Sequence, residues 1–412
     1  MDIKVAGGAK LKGTVITSGS KNAAIPILCA SLLAKGKVLL KNVPRISDID
    51  NLIEIIKKLN CQVVFKGHTV LIDNTFLTYK PLLFDECKKI RGSYYLIGVF
   101  LTLFAKCEIL MPGGCQIGNR PIDLHLKAFS DLGYDYHIEN DVLSISKKQA
   151  MISKALRIEK KSVGASINAL LGGLSLDEFE IENGLFEPEG IDLINFLNKL
   201  GFNITHSDNM LIYMRKERDF KLVKHTIIPD RIEAMTYAVM GLLCGDLTIK
   251  KVDTKALKYP LEILVSSGFK LKYTDNEIVV SNSYGKALNV KTDVYPLFPT
   301  DLQPLFGVLC VNTRGQSIVE ETVFENRMHI YHDLINSGIN CKVEKNTAII
   351  EGGKNVISQD YKAYDLRHGA ALLILALIGN KSSTISNFEY VFRGYDDIIK
   401  KIVALGADIQ II

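Results

Sequence analysis

One pattern recurs six times along the chain: an amphipathic helix that ends on a turn residue and runs into alternating strand residues. The copies are IEIIKKLNCQVVF, LKAFSDLGYDYHI, INFLNKLGFNITH, LEILVSSGFKLKY, YHDLINSGINCKV and IIKKIVALGADIQ. Their turns fall at Asn60, Gly133, Gly201, Gly268, Gly338 and Gly406, so successive spacings are 73, 68, 67, 70 and 68 residues. A helix that closes in the left-handed region needs Gly there, or Asn as its usual substitute. The alternation behind the turn is the strand period. Between these copies lies a second recurring element, a wholly apolar helix followed by a β-rich segment, starting near Ser20, Arg91, Ser162, Asp230, Thr300 and Asp365. A helix apolar on nearly all faces must be buried on all sides. One unit is therefore buried helix, strand, amphipathic helix and strands. Six such units are too long and too mixed for the common solenoids, and two halves of three units match ordinary domain sizes. The junction is predicted near residues 225–230.

Composition narrows the function classes. The 412 residues are 47% hydrophobic and 23% charged with a net charge of +5, which excludes a disordered chain and gives little support to nucleic-acid binding. The apolar runs at 23–34 and 370–379 fall short of the about 18 residues that a membrane span requires. The start MDIKVAGGAKL has no basic stretch followed by an apolar one, so a cytoplasmic protein without a membrane partner is expected. The eight cysteines are dispersed, mostly inside apolar runs, and are expected to be reduced thiols.

The richest local signal is PGGCQIGNRPIDLH at 112–125. A Gly-rich loop faces solvent, and a cysteine there beside Arg120 has the setting that makes a thiol reactive. Cys115 is thus a candidate nucleophile or acid, with a surface cysteine of no role as the equal alternative. No metal site is expected, since Asp123 and His125 lack a ligand spacing. Basic residues at the starts of buried helices are the second signal: Lys21, Arg91, Lys160 and Lys161, then Arg231, Arg327, Arg367 and Arg393. A helix N-terminus with an added cation makes an anion site; the plainer alternative is a salt bridge to a neighbouring acid such as Asp230, Asp365 or Asp396. Asp301 in FPTDLQ suits a helix cap or a general base, and the cap is favoured on these residues alone. His329 and His332 have no third ligand nearby and are expected to be surface histidines.

In order along the whole chain stand GSKNAAIPIL, PGGCQIGNRPIDLH, KSVGAS, PDRIE, FPTDLQ, ETVFENR, DLR and RGYDDI. With these motifs the chain resembles the UDP-N-acetylglucosamine enolpyruvyl transferase family. The resemblance implies an α/β (α+β) fold of two inside-out α/β barrels, each of three βαβαββ-type units, with the active site in the cleft between them. The first domain would run over 20–226 and the second over 1–19 plus 227–412. The implied reaction moves the enolpyruvyl group of phosphoenolpyruvate onto the 3-hydroxyl of UDP-N-acetylglucosamine with release of phosphate, through a tetrahedral ketal, and opens peptidoglycan synthesis. These two substrates are the implied partners, with no cofactor, no metal and a monomer or weak oligomer.

Position by position, the resemblance makes Lys21 and Asn22 contacts to phosphoenolpyruvate and sugar, and Cys115 the residue that protonates the vinyl carbon or holds a covalent adduct. Arg120 would hold phosphate, Pro121, Ile122, Asp123 and Leu124 would line the uridine side, and Arg91 would stack on the uracil. Lys160, Lys161, Ser162, Val163 and Gly164 would bind the diphosphate. Asp301 becomes the base for the sugar hydroxyl and the Val323 backbone a sugar contact. Arg327, Arg367 and Arg393 would close over phosphoenolpyruvate, and the inhibitor fosfomycin would alkylate Cys115. Three departures lie in the second half: FEYVF leads into RGY in place of the family's acidic-aromatic-His-Ile-Asp, ENR is followed by MHI in place of Phe-Met-His, and DLRHGA puts His368 beside Arg367. Two rivals share the fold: 5-enolpyruvylshikimate-3-phosphate synthase, whose family lacks the cysteine loop, and a non-catalytic UDP-sugar sensor.

Overall fold

All six repeat turns take positive φ, 67° at Asn60, 89° at Gly133, 84° at Gly201, 80° at Gly268, 81° at Gly338 and 105° at Gly406. The computed structural model describes residues 1–34, 36–111, 122–148, 154–207, 210–215, 222–353 and 355–412. The repeat helices, in chain order, are α1 (Lys21–Ser31), α2 (Ser47–Lys58), α3 (Tyr95–Phe104), α4 (Asp123–Asp131), α5 (Val163–Gly173), α6 (Pro188–Lys199), α7 (Arg231–Cys244), α8 (Lys258–Ser266), α9 (Gln303–Leu309), α10 (His329–Asn336), α11 (Leu366–Ile378) and α12 (Ile398–Ala404). Odd-numbered helices are the apolar ones, and they are buried almost throughout, as in α7, where every residue is buried. Even-numbered helices bury one face only, as the repeat predicts.

The described chain divides into two compact units. One comprises Met1–Ser18 with Pro229–Ile412, the other the described residues of 19–228. Each has its own hydrophobic core. In the 19–228 unit α3 packs against both α1 and α5; in the other, α7, α9 and α11 pack against one another. Sheets surround these helices. Five four-stranded sheets repeat one order, a parallel pair followed by two antiparallel partners. The sheet strands alternate in burial, as in Lys37–Lys41 and Gln316–Glu320, so one face meets the helices and the other meets water. Helices inside and sheets outside make each unit an inside-out α/β barrel.

Segments distant in sequence close the units. Strand Leu11–Ile16 runs parallel to Gly245–Lys250, and Ile3–Val5 lies antiparallel between Ser383–Ser386 and Ile409–Ile411. Val223–Thr226 runs parallel to Lys37–Lys41, with Val223 opposite Val38. None of the helices among the described residues is long and apolar enough to cross a membrane.

Candidate active site

In the unit built on α7, α9 and α11, Asp301 stands in the short 3-10 turn Thr300–Leu302 that leads into α9. It caps nothing. Its Oδ1 accepts from Arg327 Nη2 at 2.9 Å, and its Oδ2 accepts from Arg367 Nη2 at 3.0 Å and Nε at 3.2 Å. Burial alone would raise the Asp301 pKa, but the Arg367 and Arg327 charges outweigh it and hold the carboxyl well below the usual range. The two arginine side chains are 3% and 4% exposed while that of Asp301 is 25% exposed, so the Asp301 side chain is the more open of the three. Arg327 Nε and Arg367 Nη1 make no hydrogen bond among the described residues. The face of the Tyr395 ring lies 5.4 Å from the Arg367 guanidinium, and the Tyr395 hydroxyl is 2.9 Å from that of Thr236.

Glu321 supports this centre from behind. Arg327 Nη1 donates to the Thr300 hydroxyl at 2.8 Å, which donates to Glu321 at 2.7 Å. Glu321 also accepts from the Thr292 hydroxyl at 3.0 Å and from the N–H groups of Val323 and Phe324 at 2.8 and 3.0 Å. The Val323 N–H is thus engaged, and its carbonyl is the group it could offer a ligand. The plainer alternative, a salt bridge from Arg367 to its neighbour Asp365, does not occur. Asp365 Oδ1 is taken by the N–H groups of Arg367 and His368 at 2.8 and 3.0 Å, capping α11. Arg393 ends the 3-10 turn Phe388–Arg393, half-buried. His332 is exposed as expected, but His329 is half-buried and packs on Tyr364 with ring centroids 4.9 Å apart.

In the 19–228 unit, Lys21 opens α1 behind the Ser20 cap, and its Nζ sits 2.7 Å from Asp48, which is 4% exposed. Asn22 next to it is exposed. Arg91 stacks over Tyr94 at 5.6 Å. Gly92 lies so close to α1 that a Cβ there would stand 2.4 Å from Ile25. Ser162 caps α5 by accepting from Ala165 N–H at 3.3 Å, with Lys160 and Lys161 exposed just before it and Val163 and Gly164 half-buried behind it. Ile122 is buried, Leu124 half-buried and Asp123 exposed at the start of α4. His125, weighed from sequence only as a metal ligand, packs against the α5 start: a Cβ on Gly164 would meet its Nε2 at 2.7 Å. Burial, with the Arg91 charge adding, pushes the His125 pKa down to about 4, so the imidazole is neutral.

Cys115, Arg120 and Pro121 lie outside the described residues. Of the other predicted residues, the structure brings Asp301, Arg327 and Arg367 onto one another, and joins Arg91 to the α5 start through Tyr94 and His125. Sequence reasoning missed Asp48, Thr300, Glu321 and Tyr395, which act through partners far away in the chain. Thr300, Glu321 and Tyr395 lie inside the motifs FPTDLQ, ETVFENR and RGYDDI, which could have flagged them, whereas Asp48 lies in none. No group of three or more His, Cys, Asp or Glu able to hold a metal ion occurs among the described residues.

A family model described as EPSP synthase (3-phosphoshikimate 1-carboxyvinyltransferase) matches residues 5–402. Curated relatives include UDP-N-acetylglucosamine 1-carboxyvinyltransferase from Halothermothrix orenii, 38% identical over 98% of both chains. The Buchnera aphidicola protein of the same name is 36% identical over 99% of both. Among solved structures, the enolpyruvyl transferase NikO from Streptomyces tendae superposes with a TM-score of 0.91 at 23% identity, covering 99% of this chain and 98% of its own. EPSP synthase from Acinetobacter baumannii superposes at 0.77 with 15% identity over the whole of both chains; at these identities the two structures speak for the fold alone.

Proposed function

The chain belongs to the enolpyruvyl transferase family, among its UDP-N-acetylglucosamine 1-carboxyvinyltransferases, and from that premise we propose how its residues carry the reaction. The enzyme transfers the enolpyruvyl group of phosphoenolpyruvate to UDP-N-acetylglucosamine and releases phosphate. The family model is named for the shikimate enzyme, but the full-length relatives at 36–38% identity act, by name, on the nucleotide sugar.

The observation that carries the residue assignment is the Asp301 carboxylate between two buried guanidinium groups, each with one nitrogen that makes no hydrogen bond among the described residues. Phosphoenolpyruvate brings a carboxylate and a phosphate, and Arg presents forked donors that suit both. In our reading Arg327, Arg367 and Arg393 take that charge. An Asp301 carboxylate held this strongly by two cations is a poor base, so its basicity must rise as the arginines turn their donors to the substrate. It then removes the proton from the sugar 3-hydroxyl.

Cys115 gives its proton to the methylene carbon of phosphoenolpyruvate, the sugar oxygen attacks the resulting cationic C2, and Asp301 takes the hydroxyl proton. From the tetrahedral ketal the C2–O bond to phosphate breaks while the Cys115 thiolate takes back a methyl proton to restore the vinyl group, and the departing phosphate takes the proton held by Asp301. Lys21, held by Asp48, and Arg120 stabilise the anionic charge. On the nucleotide side, the capped start of α5 with Lys160, Lys161, Ser162, Val163 and Gly164 takes the diphosphate. Arg91 and the 121–124 segment take the uridine, and Asn22 and the Val323 carbonyl take the sugar. Peptidoglycan synthesis, a cytoplasmic location and action as a monomer or weak oligomer belong to the same reading.

The test is phosphate release from phosphoenolpyruvate with UDP-N-acetylglucosamine and, in parallel, with shikimate 3-phosphate. Release is expected with the nucleotide sugar alone; release only with the shikimate compound would overturn the reading.

A further inference from the structure

We propose that His368 and Asp333 are positioning residues that aim Arg367 at phosphoenolpyruvate, a role that rests on the reading of Arg367 as a ligand of that substrate. His368 Nε2 lies 2.8 Å from Asp333 Oδ2, and its Nδ1 accepts the backbone N–H of Tyr364 at 3.3 Å. Both bonds demand the same neutral tautomer, with its proton on Nε2 donated to the carboxylate. The ring stacks on Tyr364, with centroids 5.6 Å apart and planes 16° apart, and His329 closes the group at 5.9 Å from His368. His368 is 2% exposed while the Asp333 side chain keeps 19%, so the imidazole is shielded from water and the carboxylate only partly.

The consequence lies in what this imidazole ties together. The turn 364–368 carries Arg367, and side chains fix three of its amides: His368 holds that of Tyr364, and Asp365 holds those of Arg367 and His368. Asp333 belongs to α10, which begins two residues after Arg327. The His368–Asp333 bond therefore joins the segment bearing Arg327 to the turn bearing Arg367, the two cations that meet on Asp301. A guanidinium displaced by about 1 Å loses much of its hold on a charged substrate. Neither His368 nor Asp333 needs to touch substrate for this.

The variants separate the two bonds. His368→Phe keeps the stacking and loses both, His368→Asn keeps an acceptor where Nδ1 stood, and Asp333→Ala removes the carboxylate. Kinetics with each substrate and the thermal midpoint are measured for all three, with Arg367→Lys in parallel. His368→Phe and Asp333→Ala are expected to raise KM for phosphoenolpyruvate about tenfold, with KM for UDP-N-acetylglucosamine within about twofold of the parent, and His368→Asn to recover part of the loss. A phosphoenolpyruvate KM that stays at the parent value in His368→Phe, or KM values that rise together for both substrates as the midpoint falls, would overturn the proposal. If His368→Phe does not fold, His368→Asn and Asp333→Ala decide by the same criteria. Should Arg367→Lys raise that KM while the His368 and Asp333 variants do not, positioning fails and the reading of Arg367 stands. Should Arg367→Lys leave it unchanged, the reading itself falls.

Discussion

In the proposed mechanism Asp301 serves two states. Ion-paired to Arg327 and Arg367 it is a structural anchor, and relieved of them it would act as the base. Asp301→Asn keeps the shape and removes the charge, so turnover should fall by about 100-fold or more. The same change leaves two buried cations without their counter-ion and should lower stability by about 1–3 kcal/mol, read as a shift of the denaturant midpoint. Full turnover in the Asp301→Asn variant would remove Asp301 from the proton transfer. Cys115→Ser tests the other proton in the cycle: turnover should drop sharply and fosfomycin should no longer label the protein, seen as an absent mass adduct. Labelling that persists in the Ser variant would place the reactive thiol elsewhere.

At the level of elements, the six helix ends are the part of the fold most open to an isolated test. Gly268 has φ of +80° and nothing within 4 Å of where a Cβ would stand, so Gly268→Ala adds backbone strain and no clash. A loss of about 1 kcal/mol is expected, with unchanged kinetics. A melt at the parent midpoint would mean that the left-handed turn does not contribute. These ends were legible in the sequence because a left-handed residue and the strand alternation behind it are local signals. So were the helix starts, where Ser20, Ser162, Asp230 and Asp365 accept from amides two or three residues on. What escaped was convergence. Asp301 and Arg367 stand 66 residues apart, and no spacing announces that their helix starts meet. The alternative pairing of Arg367 with Asp365 is absent for a physical reason: the capping carboxylate is committed to its own helix, and the arginine goes to the turn of the preceding repeat.

The whole molecule carries two cores, and each holds a titrating group of a different kind, which sets the order in which acid should loosen them. In the core around α1, α3 and α5, the His125 pKa is pushed from 6.5 down to about 4. A depressed histidine contributes stability that is present above pH 6.5 and lost as pH falls toward its folded value. In the core around α7, α9 and α11, the Asp301 pKa lies below its usual 3.8. Its contribution is intact above pH 3.8 and lost only below it. Between pH 6.5 and 4 the acid-driven loss falls mainly on the His125 core, because His329, the histidine of the other unit whose pKa burial also lowers, is only half-buried. The chain has no Trp, so fluorescence would not separate the units, but hydrogen exchange read by peptide does. Across that interval, protection corrected for intrinsic rate should fall in 95–104 and 163–173 before it falls in 303–309 and 366–378. His125→Gln, which cannot take up the proton, should flatten the first decline and leave the second set as it was. Equal loss in both sets, or a decline in 163–173 that survives His125→Gln, would show that His125 does not govern the acid response of its unit.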